Sequence, residues 1–366
     1  MSEHLAKISR GVVSVYEFGL GNQKFIEKNN WNECELRQEL NNLNLDLNYD
    51  SNMVEQNYDY KESKISGKKI CTHNFNNFNF MIDKKYEIID DLLIEIELNN
   101  IDFNINDFLD IKLCLSLGNY ENTELDFDIN LILCDLLNKK YFIEENKIYF
   151  YLASFEFLKK SFMKYIKNFT GFGLYLLQYN EMTLNIYNKT KYNIDNINLI
   201  IKHHSREYSN WTMCSSFELI TLHTQMQTSF IKNNLVMDNI NLKIIGKFIL
   251  LKFDEYDNDL IDVHYVKLYL NKLSPIIFNI YNDEILEIDK FNKKYYLISL
   301  SPNNKNIPDI VKNFKKLNFA EYGITMGNIN TVELEINNII DTKVDLCLIN
   351  LNVTRIMSGL IGLAYS

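Results

Sequence analysis

Apolar and polar residues alternate along Asp91–Leu98 (DLLIEIEL), Asp110–Leu117 (DIKLCLSL), Asp126–Leu133 (DFDINLIL) and Glu181–Tyr187 (EMTLNIY). The same alternation returns in Val263–Leu270 (VHYVKLYL), Thr331–Ile336 (TVELEI) and Lys343–Leu351 (KVDLCLINL). Successive side chains of an extended chain point to opposite faces, so each segment is predicted to be an antiparallel strand with one buried face. Many such strands joined by polar loops, without a repeating strand-then-helix order, argue for packed sandwiches and against a doubly wound parallel sheet.

Two segments leave the two-residue period. Between Ser154 and Phe169, Phe155, Leu158, Phe162, Ile166 and Phe169 recur at three- to four-residue steps, the spacing of one helix face. Between Asn306 and Leu317, Pro308 precedes Ile310, Val311, Phe314 and Leu317, which predicts a second helix with proline in its first turn. Both helices are insertions in a β architecture. Asn188–Asn198 separates two strand-rich runs, so the boundary is expected there: residues 1–190 form one sandwich with an extended N-terminal arm, and residues 191–366 a second. Asn29–Lys69 is polar and reads as a long loop or arm.

A length of 366 residues accommodates two domains at about 100–200 residues each, enough for sizeable cores. Against 38 Lys and Arg stand 48 Asp and Glu, a net charge of −10, and such an acidic balance argues against direct nucleic-acid binding. Only 12 Gly and 3 Pro punctuate the chain, so asparagine, roughly one residue in seven, is expected to make the turns. Asn74–Asn79, Asn303–Asn306 and Asn328–Asn330 read as loops on this basis. The six cysteines form no C-x-x-C pair, and Cys114, Cys134 and Cys347 lie in apolar runs, which suits buried free thiols in a reducing compartment. Met1–Gly11 lacks the apolar stretch of a signal peptide, so the chain is expected to be made in the cytoplasm.

Motifs for catalysis and cofactor binding are missing. Gly171 and Gly173 open a dinucleotide-type pattern, but Leu176 stands where its third glycine belongs, and no G-K-[ST] occurs. His203 and His204 are neighbours on a predicted strand and face opposite sides, which disfavours a shared metal with Cys214 or His223. The acidic run Asp254, Glu255, Asp257, Asp259 and Asp262 lacks the glycine and terminal glutamate of a calcium loop. No metal, cofactor or disulfide is expected, and neither is an enzyme. The sequons at Asn168, Asn188, Asn210 and Asn352 are expected to be unused.

The C-terminus, Ile349–Ser366 (INLNVTRIMSGLIGLAYS), carries a longer pattern. It resembles the closing segment of the major capsid proteins of large nucleocytoplasmic DNA viruses, a strand followed by an RIMSG stretch and a Gly-Leu-Ala-Tyr-Ser tail. Arg355, Ile356, Met357, Ser358, Gly359 and Tyr365 fall on it. Leu174–Ile186 (LYLLQYNEMTLNI) is similar to the segment closing the first jelly roll of that family, through Leu177, Gln178, Tyr179, Glu181, Asn185 and Ile186, with Asn180 where the family often has His. Tyr295–Pro302 and Thr331–Ile336 resemble a late strand and the strand after its proline-containing loop, and Tyr16, Gly21 and Asn22 are similar to the opening.

The resemblance implies an all-β double jelly roll: two eight-stranded antiparallel sandwiches with short helical insertions. It also implies a structural protein whose homotrimers are pseudo-hexagonal tiles of an icosahedral virion capsid, assembled in the host cytoplasm. Its partners would be further copies, neighbouring capsomers, minor capsid proteins and an underlying viral membrane. The motif residues Gln178, Tyr179, Glu181, Arg355, Ile356, Met357, Ser358, Gly359 and Tyr365 are then expected to serve packing or assembly, with the tail either on its own roll or locking a neighbour. A transient scaffold for viral membranes has the same fold, and a monomeric glycan-binding or host-recognition sandwich is the alternative of a different class.

Overall fold

The computed structural model describes residues 60–72, 75–98, 104–118, 120–163, 171–177, 179–190, 194, 196–205, 216–231, 236–237, 246–253, 263–300, 331–337, 342–357 and 360–363. In the first half the strands are β1 (Lys61–Ser66), β2 (Lys68–Thr72), β3 (Phe75–Ile82), β4 (Ile88–Glu97), β5 (Ile111–Leu117), β6 (Tyr120–Asp126), β7 (Phe142–Glu144), β8 (Lys147–Tyr151), β9 (Phe172–Gly173), β10 (Met182–Asn188) and β11 (Asn196–His204). Helices α1 (Phe127–Leu136) and α2 (Ala153–Met163) flank the β7–β8 hairpin. The second half holds β12 (Ser216–Ile231), β13 (Val236–Met237), β14 (Gly246–Phe253), β15 (Tyr265–Leu270), β16 (Ile276–Asn279), β17 (Ile285–Lys290), β18 (Lys293–Ser299), β19 (Val332–Ile336), β20 (Thr342–Met357) and β21 (Leu360–Leu363).

These strands make four antiparallel sheets in two pairs. The first pair has the orders β1-β11-β4-β8-β7 and β2-β3-β10-β5-β6. The second has β12-β20-β14-β18-β17 and β13-β19-β15-β16. Each pair interleaves strands that are distant in sequence, the Greek-key order of a jelly roll, and the two pairs repeat one scheme. The fold is an all-β double jelly roll, as expected.

Period-2 alternation builds each core. Leu92, Ile94 and Ile96 of β4 meet Phe78, Phe80, Leu113, Leu115, Leu184 and Ile186 of the opposing sheet. Leu251, Phe253, Ile298, Leu346 and Leu348 pack on Val266, Leu268 and Leu334 in the second roll. Asparagine does make turns here: Asn138, Asn271 and Asn292 adopt positive φ, where a branched side chain would be strained.

Four expectations need correction. Asp126–Leu133 is not a strand: residues 127–136 are helical, and Phe127 through Cys134 are all buried. Its alternation came from two buried polar residues, Asp128 and Asn130, each with a specific partner, so the period did not mark a wet face. Asn74–Asn79 is largely strand β3, with Asn77 and Asn79 outward and Phe78 and Phe80 inward. The end of the supposed arm Asn29–Lys69 forms β1 and enters β2; β1 is an edge strand whose lysines and serines resemble a loop in composition. The boundary lies later than Asn188–Asn198, because β11 pairs with β1 and β4 of the first roll, so the chain changes rolls between His204 and Ser216. α2 bears out the first predicted helix, whereas the 306–317 helix, the loops 303–306 and 328–330, the acidic run 254–262 and the arm before residue 60 lie outside the described residues.

A largely buried ionic cluster ties α2 and the turn after α1 to β4. Lys159 Nζ in α2 donates to the Asp90 carbonyl (2.7 Å), Asp91 (3.0 Å) and Glu156 (3.2 Å), and Lys139 donates to Asp91 (2.8 Å). Burial raises the Asp91 pKa, but Lys159 and Lys139 outweigh it and hold the carboxyl below its usual 3.8. Folding therefore gains stability from Asp91 above pH 3.8 and loses it as pH falls through the lower folded value. Asp91→Asn is expected to lower stability at pH 7 and to flatten this part of the acid dependence, as measured by urea unfolding between pH 3 and pH 7.

Candidate assembly interface

The outer face of the β12-β20-β14-β18-β17 sheet is the seam between the rolls. Its strands are apolar on both sides, as β14 (GKFILLKF) shows, because Ile249 and Leu251 face the second core while Phe248 and Leu250 join the first. Leu219, Leu222, Tyr295, Leu297, Cys347, Ile349 and Ile356 share that first cluster with Phe127, Ile132, Phe155 and Phe162 of α1 and α2. Each such side chain taken from water stabilises the contact by about 1.5–3 kcal/mol, so the seam is a permanent interface.

One charge pair crosses it under full burial. Lys252 Nζ of β14 lies 2.6 Å from Asp128 Oδ2 of α1, and the Tyr295 hydroxyl donates to the same oxygen at 2.8 Å. Asp128 is completely buried. Burial pulls the Lys252 pKa down, but Asp128 and then Asp126 carry it above the ordinary lysine value. Burial, then Asp128, raises Asp126, and the buried Cys347 thiol is pushed up by burial and by the same two carboxylates. Thr224 adds a hydrogen bond to the Glu124 carbonyl (2.5 Å), and Lys290 pairs with Asp135 beside a shallow cleft of about 390 Å³ lined by Lys140, Tyr141, Phe142 and Ile143.

The corresponding sheet of the first roll, β1-β11-β4-β8-β7, presents a different outer face. Glu95 at its centre accepts from Lys64 (2.7 Å) and Asn198 (2.8 Å), and Ser66 donates to Asn198 (2.7 Å). Tyr149 bonds Glu95 and stacks on Phe142 at 4.8 Å; burial and then Glu95 push its pKa up to about 12. Leu93 and Ile200 on this face are partly exposed.

The motif residues separate into two places. Ile356 is buried in the seam, and Arg355 beside it on β20 is exposed. β20 continues through Met357 and pairs with β21, Ile356 opposite Ile361, so the tail through Leu363 folds back on its own roll. Tyr179 is 70% exposed and Glu181 is exposed at the start of β10, where its carbonyl accepts from the Gly118 N–H at 2.6 Å. Gly118 has φ +66°, and a Cβ there would meet the Asn180 side chain at 2.6 Å, so this close turn favours glycine. Gln178, Ser358, Gly359 and Tyr365 lie outside the described residues. Asp128, Lys252 and Tyr295 were not among the sequence candidates, although a lone lysine within FILLKF was a legible signal of a buried partner.

Among the described residues no group of three His, Cys, Asp or Glu is placed to hold a metal, and no helix is long and apolar enough to cross a membrane. His203 bonds Ser63 (2.9 Å) and His204 packs edge-on against Tyr60, so the two do not converge. Cys114, Cys134 and Cys347 are buried and form no disulfide among the described residues.

No family model matches the chain, and no curated protein matches it in sequence. Among solved structures it is similar to VP54 of the virus PBCV-1, fitted into a reconstruction of the virophage Sputnik, at 12% identity with a TM-score of 0.56 over 84% of this chain and 97% of that one. A chain of the PBCV-1 capsid quasi-atomic model is similar at 12% identity and a TM-score of 0.57, with the same coverage. These similarities establish the double jelly-roll fold.

Asp128→Asn leaves Lys252 buried without its counter-ion and is expected to destabilise the protein by about 3–5 kcal/mol. Asp128→Leu combined with Lys252→Met is expected to recover most of that loss. Urea unfolding of both variants checks the pair.

Proposed function

We propose that this chain is a structural protein of a viral capsid, in which two fused rolls act as one building block and three copies close into a pseudo-hexagonal tile. The observation that carries the proposal is the seam: two rolls of the same strand order lie side by side, the helices of one covering the outer sheet of the other. A contact of this kind is head-to-tail, and repeated around a rotation axis it closes into a ring. A ring of six rolls is three chains. Two solved structures that share the fold over 84% of this chain are a capsid chain of PBCV-1 and VP54 of the same virus, which supports the capsid reading.

The motif residues then serve packing and assembly: Ile356 holds the last long strand in the seam, and Tyr179 and Arg355 are exposed for neighbours. Further copies, adjoining capsomers and minor capsid proteins are the partners, and the virion shell is the location. Purified protein is expected to show three times the 43.3 kDa chain mass by light scattering, and a threefold particle with six lobes by negative-stain imaging. A monomer at every concentration tested sinks this reading.

A further inference from the structure

The strand plan of the first roll returns in the second: β3-β10-β5-β6 corresponds to β13-β19-β15-β16, and β1-β11-β4-β8-β7 to β12-β20-β14-β18-β17. In this correspondence β6 matches β16, and β12 matches β1; all four are edge strands. At the margin of the seam β6 lies against β12, with Thr224 of β12 donating to the Glu124 carbonyl of β6 at 2.5 Å. The pair equivalent to β6 and β12 is β16 and β1. The repeat is head-to-tail, so the step that follows the seam runs from β16 of one copy to β1 of another.

We propose that β1 and β2 of one copy dock against β16 and β17 of another, a basic edge on an acidic one. This rests on the tile reading and assigns its contact between chains. Tyr60–Thr72, which spans β1 and β2, carries Lys61, Lys64, Lys68 and Lys69 against Glu62 alone. Between Lys272 and Lys290, the latter paired with Asp135, the chain carries Asp283, Glu284, Glu287 and Asp289 and neither lysine nor arginine. The four lysines of the first edge are exposed, and so are Asp283, Glu287 and Asp289. Lys64 pairs with Glu95 and Glu287 with Lys294, but Lys61, Lys68, Lys69, Asp283 and Asp289 form no ion pair among the described residues. Burial and then Lys61 and Lys85 lower the His203 pKa, as a positive edge requires. Apolar residues stand among the charges on both sides. Leu273, Ile277 and Tyr281 are 68%, 42% and 78% exposed at four-residue steps around β16, and Tyr60 and Ile70 are 38% and 45% exposed on the basic edge. His264 stacks on Tyr281 and shares a hydrogen bond with its hydroxyl at 2.9 Å, which holds the exposed ring in one orientation before any partner arrives. Lysines along an edge strand deter indiscriminate sheet pairing, and an acidic counterpart turns that protection into choice of partner.

The test uses the full chain and reads its mass by light scattering. Lys61→Glu with Lys68→Glu, and separately Asp283→Lys with Asp289→Lys, are each expected to reduce the assembly to the 43.3 kDa chain mass with unchanged melting temperature. All four changes in one chain restore opposite charges across the contact and are expected to recover the wild-type mass. Ile277→Glu with Tyr281→Glu is expected to give the chain mass as well, a readout that stands even where a charge variant fails to fold. The control is Glu144→Lys with Glu145→Lys, exposed acids of the β7–β8 hairpin, which is expected to keep the wild-type mass. Wild-type mass in both folded charge pairs and in the Ile277 and Tyr281 variant overturns the inference and leaves the tile reading standing. A folded fourfold variant that stays at the chain mass overturns it too, because the two edges then do not face each other, and so does a control that falls to the chain mass. A wild-type chain that stays at the monomer mass overturns the tile reading and the inference with it.

Discussion

Lys252 is a charge near the end of an apolar strand that is buried on both faces, and the arrangement of the two rolls follows from that placement. An unpaired ammonium at that depth costs several kcal/mol, so the strand is stable only where a carboxylate and a further hydrogen-bond donor complete the site. Asp128 supplies the charge and Tyr295 the hydroxyl. Asp128 sits in the first turn of α1, where its carboxylate also faces the positive end of the helix. The pair does little for net stability compared with an apolar substitute, but it fixes register, because a helix docked one turn away leaves both charges unpaired.

The apolar residues around the pair supply the affinity. Phe155 and Phe162 of α2 and Phe127 of α1 share a cluster with Phe248, Leu250 and Leu297 across the seam, so the two rolls have one continuous interior, and a second core lies between the sheets of roll two. The chain is therefore one block with a repeated plan. In the repeat, one outer sheet is apolar and sealed, whereas the other carries Glu95, Asn198, Ser66 and Lys64 in a satisfied polar row.

The strand alternations of β4, β5, β10, β15, β19 and β20 were legible in the letters because each has one wet face or a clear core face. The general tendency of asparagine to make turns was legible, since Asn tolerates left-handed backbone, but Asn138, Asn271 and Asn292 lie outside the clusters that composition singles out. α1 was misread because all its sides are buried. Asp128 and Asn130 fall at alternate positions, and periodicity reports a boundary between protein and water, which this helix does not have.

β1 and β3 were missed for the converse reason: their asparagines, lysines and serines are ordinary outward positions of edge or half-wet strands, and composition alone reads them as loop. The sequence by itself determined the class of fold and the terminal strand whose Ile356 enters the seam. Tertiary structure alone decided where the first roll ends, because β11 belongs to the sheet that binds it and not to the Asn-rich stretch beside it. It also decided which carboxylate meets Lys252. These are relations between strands distant in sequence, set by long-range pairing and by burial of a charge.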